Sequence, residues 1–116
     1  MTDSFLRYLQ YEKRYSSHTI EAYQRDLAQF SDYLAETFEI TNYVETAHVH
    51  LRGWVVSLIE SGVTPRTVNR KIATLKSFYK YLQVREHVSQ NPATRLKPLK
   101  PEKKLPAFVR EAEIDT

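Results

Sequence analysis

Residues 64–82 read TPRTVNRKIATLKSFYKYL, and the reading of this stretch decides the fold. Thr64 carries a hydroxyl that can cap free helix N–H groups, and Pro65 suits the first helical position, where no donor is needed. Val68, Ile72, Leu75, Tyr79 and Leu82 then follow at spacings of four, three, four and three. That interval repeats one face of a helix, so an amphipathic helix with a continuous apolar stripe is predicted. At about 100° per residue the far side carries Arg66, Arg70, Ala73, Ser77 and Lys80. Asn69 lies beside them, with Lys76 on one flank and Lys71 on the other. The outer face is therefore basic, and Ala73 and Ser77 keep its middle low enough for a second macromolecule to approach. Most faces rich in Lys and Arg simply meet solvent, so the rest of the chain has to decide between solvation and docking.

The 116 residues suffice for one domain with a modest core, and 41% hydrophobic with 27% charged residues are ordinary globular values. Two glycines argue against an all-β fold with its many tight turns. No apolar run approaches the ~20 residues of a membrane span, and no signal-peptide pattern opens the chain. The absence of cysteine excludes disulfides and thiolate metal sites, which fits a cytoplasmic protein. The net charge of +3 hides an asymmetry: residues 1–62 hold five Lys/Arg against nine Asp/Glu, and residues 63–116 hold twelve against five. A second half this basic calls for a polyanionic partner, nucleic acid before an anionic membrane surface.

Upstream, Thr2 or Asp3 can cap a first helix running to about Arg14, with Phe5, Leu6, Tyr8 and Leu9 as its apolar residues. A second helix from Ser17 or His18 places Ile20, Tyr23, Leu27, Phe30 and Leu34 on one face. Its other face, with His18, Glu21, Arg25, Gln29 and Asp32, is of mixed charge. Residues 38–45 read as a loop. Thr46 can cap a third helix through Val49, Trp54, Val55, Leu58 and Ile59, closed by Gly62 in a left-handed conformation. Gly53 inside it marks either a close neighbour or a local weakness. Asn91-Pro92 can start a short fifth helix whose Leu96 docks on the core. Residues 97–106, with three prolines and four lysines, form a semi-rigid cationic strap, and another apolar pattern opens at Phe108. The expected architecture is an all-α bundle of four main helices plus a short fifth, over residues 1–96, then the linker and the start of a further domain at 107–116.

Catalytic constellations are weak. His48 and His50 stand about 200° apart on a helix and cannot share an ion there, and His18 and His87 are remote in sequence. The carboxylates are scattered, and the isolated glycines form no phosphate loop. Tyr23 and Tyr79 lie on apolar stripes and read as core. No metal, cofactor or catalytic residue is therefore expected in this chain. Nucleic-acid signals are stronger. Arg and Asn suit base edges, Lys and Ser suit phosphates, and the start of the 64–82 helix, with Thr64 and Thr67, offers N–H groups to an anion. Ser16-Ser17-His18-Thr19 makes the same offer at the second helix.

The motif Ser17-His18-Thr19, Tyr23, Asp26-Leu27 and Phe30, with intervals of three, two and two residues, resembles the second helix of the N-terminal core-binding domain of tyrosine recombinases, the phage integrase family. The run from Thr67 to Leu82 is similar to that domain's fourth helix. Asn91-Pro92-Ala93, the basic Pro-rich segment and Leu105-Pro106 resemble its exit and its linker. The likeness covers almost the whole chain and is closest to the Xer-like branch. It implies a SAM-like helical domain forming half of a clamp round double-stranded DNA. Carried over by position, it implies DNA contacts at Ser17, His18 and Thr19 and at Arg66, Thr67, Asn69, Arg70 and Lys76. Ser77 and Lys80 join them from the basic face, and Lys97, Lys100, Lys103 and Lys104 are expected to meet phosphates along the linker. The resemblance further implies a bacterial, nucleoid-associated protein whose full-length form assembles with other recombinase protomers in a synaptic complex. In such a parent a separate catalytic domain cleaves and rejoins strands through a phosphotyrosine link without a metal, while the isolated domain stays monomeric. Glu21 and Asp26 place negative charge near the second helix, which favours the fourth as the main contact. Two alternatives remain from the sequence: a helix-turn-helix regulator reading with the third and fourth helices, and a helical protein-interaction module.

Overall fold

Thr64 initiates the central helix as its sequence predicts. In the computed structural model, which describes residues 2–100, its hydroxyl accepts from the Thr67 N–H and Pro65 opens the helix. Four α-helices make up the bundle: α1 (Thr2–Tyr11), α2 (Ser17–Tyr33), α3 (His48–Glu60) and α4 (Pro65–Val84). No strand occurs among the described residues. The described residues are all-α, as expected. Helix α4 is the column of the core, burying Val68, Ile72, Leu75, Phe78, Tyr79 and Leu82. Phe5 of α1 meets Phe78 edge-on at 5.2 Å, and Phe30 of α2 meets Tyr79 at 6.4 Å and Trp54 of α3 at 5.1 Å. Such offset rings add to the burial of their area, so the aromatic residues bind α1 and α2 to α4, and α3 to α2.

The helix ends differ from expectation where non-glycine residues take left-handed conformations. Helix α1 stops at Tyr11 rather than near Arg14, because Arg14 adopts φ 56° and the Tyr15 N–H returns to the Leu9 carbonyl. Helix α2 runs into a wider π turn over Leu34–Phe38, closed by Glu39 at φ 59°. At α3, Gly62 has φ 88° as predicted, and the Val63 N–H bonds the Leu58 carbonyl. Glu86, at φ 64°, performs the same turn after α4, with the His87 N–H on the Leu82 carbonyl.

Gly53 is a close approach: a Cβ there would stand 2.6 Å from the Tyr33 hydroxyl. Thr46 does not cap α3. Its hydroxyl bonds the Tyr43 carbonyl and the Tyr79 hydroxyl instead, and His50 Nδ1 accepts from the Ala47 N–H at the helix start. Val49 and Ile59, expected on the apolar side of α3, face outward, and Leu51 takes their place in the core. Tyr43, within the segment read as a loop, enters a 3-10 turn, places its ring 4.9 Å from Phe78 and donates to the Leu27 carbonyl.

The segment expected as a fifth helix makes single turns. Asn91 Oδ1 accepts from the Ala93 N–H, and the Thr94 and Leu96 N–H groups each reach back three residues. Lys97 precedes Pro98 and is restricted to extended backbone, so the turns cannot propagate. Ala93 and Leu96 are buried all the same, docking this segment on the bundle. Lys103, Lys104 and the 107–116 segment lie outside the described residues.

Candidate nucleic-acid interface

Two helix starts built the same way frame the site. Ser16 caps α2, its Oγ accepting from the Thr19 N–H and meeting the Thr19 hydroxyl at 3.0 Å. Thr64 caps α4, accepting from the Thr67 N–H and donating to the Thr67 hydroxyl at 3.2 Å. Each cap engages the third amide of its helix. At α2 the Ser17 and His18 amides remain directed out of the helix end. At α4 the first residue is a proline, so Arg66 alone supplies that donor. The two starts therefore offer an anion unequal numbers of N–H groups, two at α2 and one at α4.

Between α2 and α4 runs an open groove of about 370 Å³, lined by His18, Thr19, Ala22, Tyr23, Arg70, Ala73 and Thr74. Ala22 and Ala73 make it shallow. Its charged member is Arg70, and Arg70 is rooted. Its Nη1 donates to Asp26 Oδ2 at 2.7 Å, while its side chain keeps 43% exposure. Asp26 itself is fully buried, and Lys71 Nζ lies 2.7 Å from its Oδ1 and 2.7 Å from Gln29 Oε1. The Thr74 hydroxyl is 3.0 Å from Asp26 Oδ2. A buried carboxylate needs such partners, since an unpaired one would be driven to neutralise. Lys71 thus belongs to the interior and not to the outer flank predicted for it. Asp26 is likewise hidden, so its charge does not face a ligand at α2 as the sequence suggested. One carboxylate against two cations leaves the cluster with one positive charge, and the exposed member carries it.

Along the other edge of α4 lies the C-terminal segment, running antiparallel to the helix. The Asn91 amide reaches the Lys76 carbonyl at 3.5 Å, and eight residues later Leu99 sits against Asn69. The Asn69 amide donates to the Leu99 carbonyl at 2.9 Å and its Oδ1 accepts from the Leu99 N–H at 2.6 Å. Both ends of this side chain are in use, so Asn69 serves as a clasp on the strap. The arrangement ties the strap, with exposed Lys97 and Lys100 on either side of Leu99, to α4 at Asn69, three residues after Arg66.

The remaining predicted residues divide between these features. Ser17, His18, Thr19, Arg66 and Lys80 are exposed, and Thr67, Lys76 and Ser77 are half-buried. Ser77 and Lys80 line a second cleft, also about 370 Å³, with Tyr8, Lys13, Tyr15 and Arg85. Burial raises the Tyr23 phenol above its ordinary range and a Ser77 hydrogen bond partly offsets this, so Ser77 is engaged across the boundary of the two clefts. Tyr15 stacks on Tyr23 at 6.0 Å and separates them further. Missed from the sequence were the capping role of Ser16, the Asp26–Lys71 root and the Tyr15 wall. Among the described residues no three His, Asp or Glu side chains converge as metal ligands, and no helix is long and apolar enough to cross a membrane.

This geometry, two helix starts and a basic ridge on a four-helix bundle, coincides with a family match. The sequence model of the phage integrase N-terminal SAM-like domain matches residues 2–86, and the chain belongs to that family. It is 35% identical over 113 residues to the tyrosine recombinase XerC of Oceanobacillus iheyensis, covering 97% of this chain and 37% of that protein. The XerC of Halalkalibacterium halodurans is 37% identical over 112 residues, with 97% and 37% covered. That of Bacillus subtilis is 33% identical over 111 residues, with 96% and 36% covered. The Xer-like resemblance is thereby borne out. The chain spans little more than a third of the length of these curated relatives. No solved structure matches it significantly.

Proposed function

We propose that this chain is the DNA-holding module of a tyrosine recombinase and serves site-specific recombination. The observation that carries the reading is the groove between the start of α2 and the basic side of α4, where Arg70 stands rooted and small residues leave room for a backbone phosphate. A duplex lying along that groove meets Ser17, His18 and Thr19 on one side and Arg66 and Arg70 on the other, and reaches Lys80 in the neighbouring cleft. Lys76 and Ser77 flank it, and Thr67 supports the α4 start. The strap clasped by Asn69 brings Lys97 and Lys100 to the duplex to neutralise phosphates, a role we assign also to Lys103 and Lys104 on their charge. In this reading residues 1–96 hold DNA, 97–106 link, and 107–116 begin a catalytic domain. Strand cleavage and rejoining then belong to the part of the relatives' length this chain does not span, and protomers of the full protein assemble on the DNA. A bacterial cytoplasmic location, at the nucleoid, follows from the same reading.

Fluorescence-anisotropy titration of the 116-residue chain against mixed-sequence duplexes at stepped salt tests it. The binding constant should fall with salt at a log–log slope of about −0.9 per phosphate neutralised. A flat response, or no binding at low ionic strength, would sink the reading. Arg66→Ala should weaken binding evenly across sequences if it meets phosphate, and unevenly by about 1–3 kcal/mol if it reads a base. One observation favours an additional protein contact: Val49, Val56 and Ile59 form an exposed apolar stripe on α3, away from the groove.

A further inference from the structure

We infer that Asp26 is the positioning residue of this face: its buried carboxylate holds one edge of Arg70 so that the remaining edge meets a duplex phosphate. The inference rests on the DNA-holding reading and adds how its main cation is set. Arginine carries five N–H donors in a rigid planar fork, and here one nitrogen, Nη1, is fixed on Asp26 Oδ2 at 2.7 Å. Asp26 cannot give way. It is fully buried, its other oxygen is held by Lys71 Nζ at 2.7 Å, and Thr74 is 3.0 Å from the same Oδ2 that Arg70 uses. Lys71, almost fully buried and bonded also to Gln29, cancels the carboxylate from below. What the groove meets is then the surplus positive charge of the cluster on a guanidinium already anchored. A free arginine has to order several torsions when it binds, and this ordering is made in advance.

The alternative role for Asp26 is a plain negative charge near a polyanion, and the two roles predict opposite signs. Asp26→Asn removes a negative charge, so simple electrostatics gives tighter DNA binding. Loss of positioning gives weaker binding, by about five- to tenfold, as expected for freeing one long side chain. Arg70→Lys keeps the charge but has no fork to bridge carboxylate and phosphate, and should lose affinity by a similar factor. In the Arg70→Lys background, Asp26→Asn should cause no further loss.

The experiment is duplex titration of the 116-residue wild type, both single variants and the double variant, with folding verified by circular dichroism at the titration temperature. Weaker binding by both singles with no added loss in the double is the expected result. If Asp26→Asn does not fold, Arg70→Lys decides, since its half-exposed side chain leaves Asp26 paired with Lys71 and Thr74. Wild-type affinity in Arg70→Lys, or unchanged or tighter binding by a folded Asp26→Asn, overturns the positioning role while the DNA-holding reading stands. No duplex binding by the wild type overturns both.

Discussion

Lys71 is a lysine that only its register betrays. It follows Val68 by three and precedes Leu75 by four, which places it within the apolar stripe of α4. Asp26 stands in the same relation to Tyr23 and Phe30 on α2. Two opposite charges on facing core stripes are the signature of an interior pair, whereas sorting residues by charge alone puts both outside. Lys71→Met retains the apolar stem and leaves the fully buried Asp26 with Arg70 and Thr74. It should cost about 3 kcal/mol, in the range for breaking one partner of a buried pair, and lower Tm by more than about 10 °C. Arg70→Gln, at a half-exposed side chain, should cost less than about 1 kcal/mol in the same melt. Tyr79 is read correctly as core, but its polar end is not foreseeable, because it depends on the turn at Tyr43. Its hydroxyl donates to the Tyr43 carbonyl at 3.0 Å and meets Thr46, so Tyr79→Phe should destabilise by about 1–2 kcal/mol. Burial, opposed by the Thr46 hydrogen bond, raises its phenol well above the ordinary 10.0. The unfolded chain therefore releases this proton first, and stability should fall as pH rises above about 10. Tyr79→Phe should flatten that decline in urea melts followed across the alkaline range.

Among the helices, the buried faces of α2 and α4 and the Thr64 start were legible, while the buried face of α3 and most helix ends were not. The four-three alternation located α2 and α4 because it records burial over many residues. A helix end instead turns on one or two dihedral angles, which glycine advertises and other residues conceal. Gly62 was therefore foreseen, while Arg14, Glu39 and Glu86 were not. The comparison of Gly62 with Glu86 gives paired predictions, since both close a helix by the same hydrogen-bond pattern. Glu86→Gly relieves the left-handed strain of a side-chain-bearing residue and should stabilise by about 0.5–1 kcal/mol after the added chain entropy. Gly62→Ala has open space for its methyl but the wrong dihedral angle, and should cost about 1 kcal/mol. Opposite shifts in urea midpoint with unchanged slope would confirm both.

For the whole molecule, the charge asymmetry was plain in the sequence, but the path of the strap was not. Composition can say that residues 97–106 are cationic and stiff. It cannot say that Asn69, a natural candidate for reading adenine, is occupied by a peptide group of the same chain. The fold thereby ties a cationic segment thirty residues downstream to α4 at Asn69, with Lys97 and Lys100 on either side of the clasped Leu99. Lys97→Gln with Lys100→Gln should reduce the salt slope of duplex binding by about 1.8, two phosphates' worth, while leaving the thermal transition in place.

The Asn69 clasp also has a spectroscopic consequence. The Leu99 amide proton is held by a side chain and not by a helix, so its hydrogen–deuterium exchange follows release of the strap, while the amide of Ile72 in α4 follows opening of the bundle. The ratio of the two exchange rates would measure the latch separately from the fold, and Asn69→Ala should accelerate the first without changing the second.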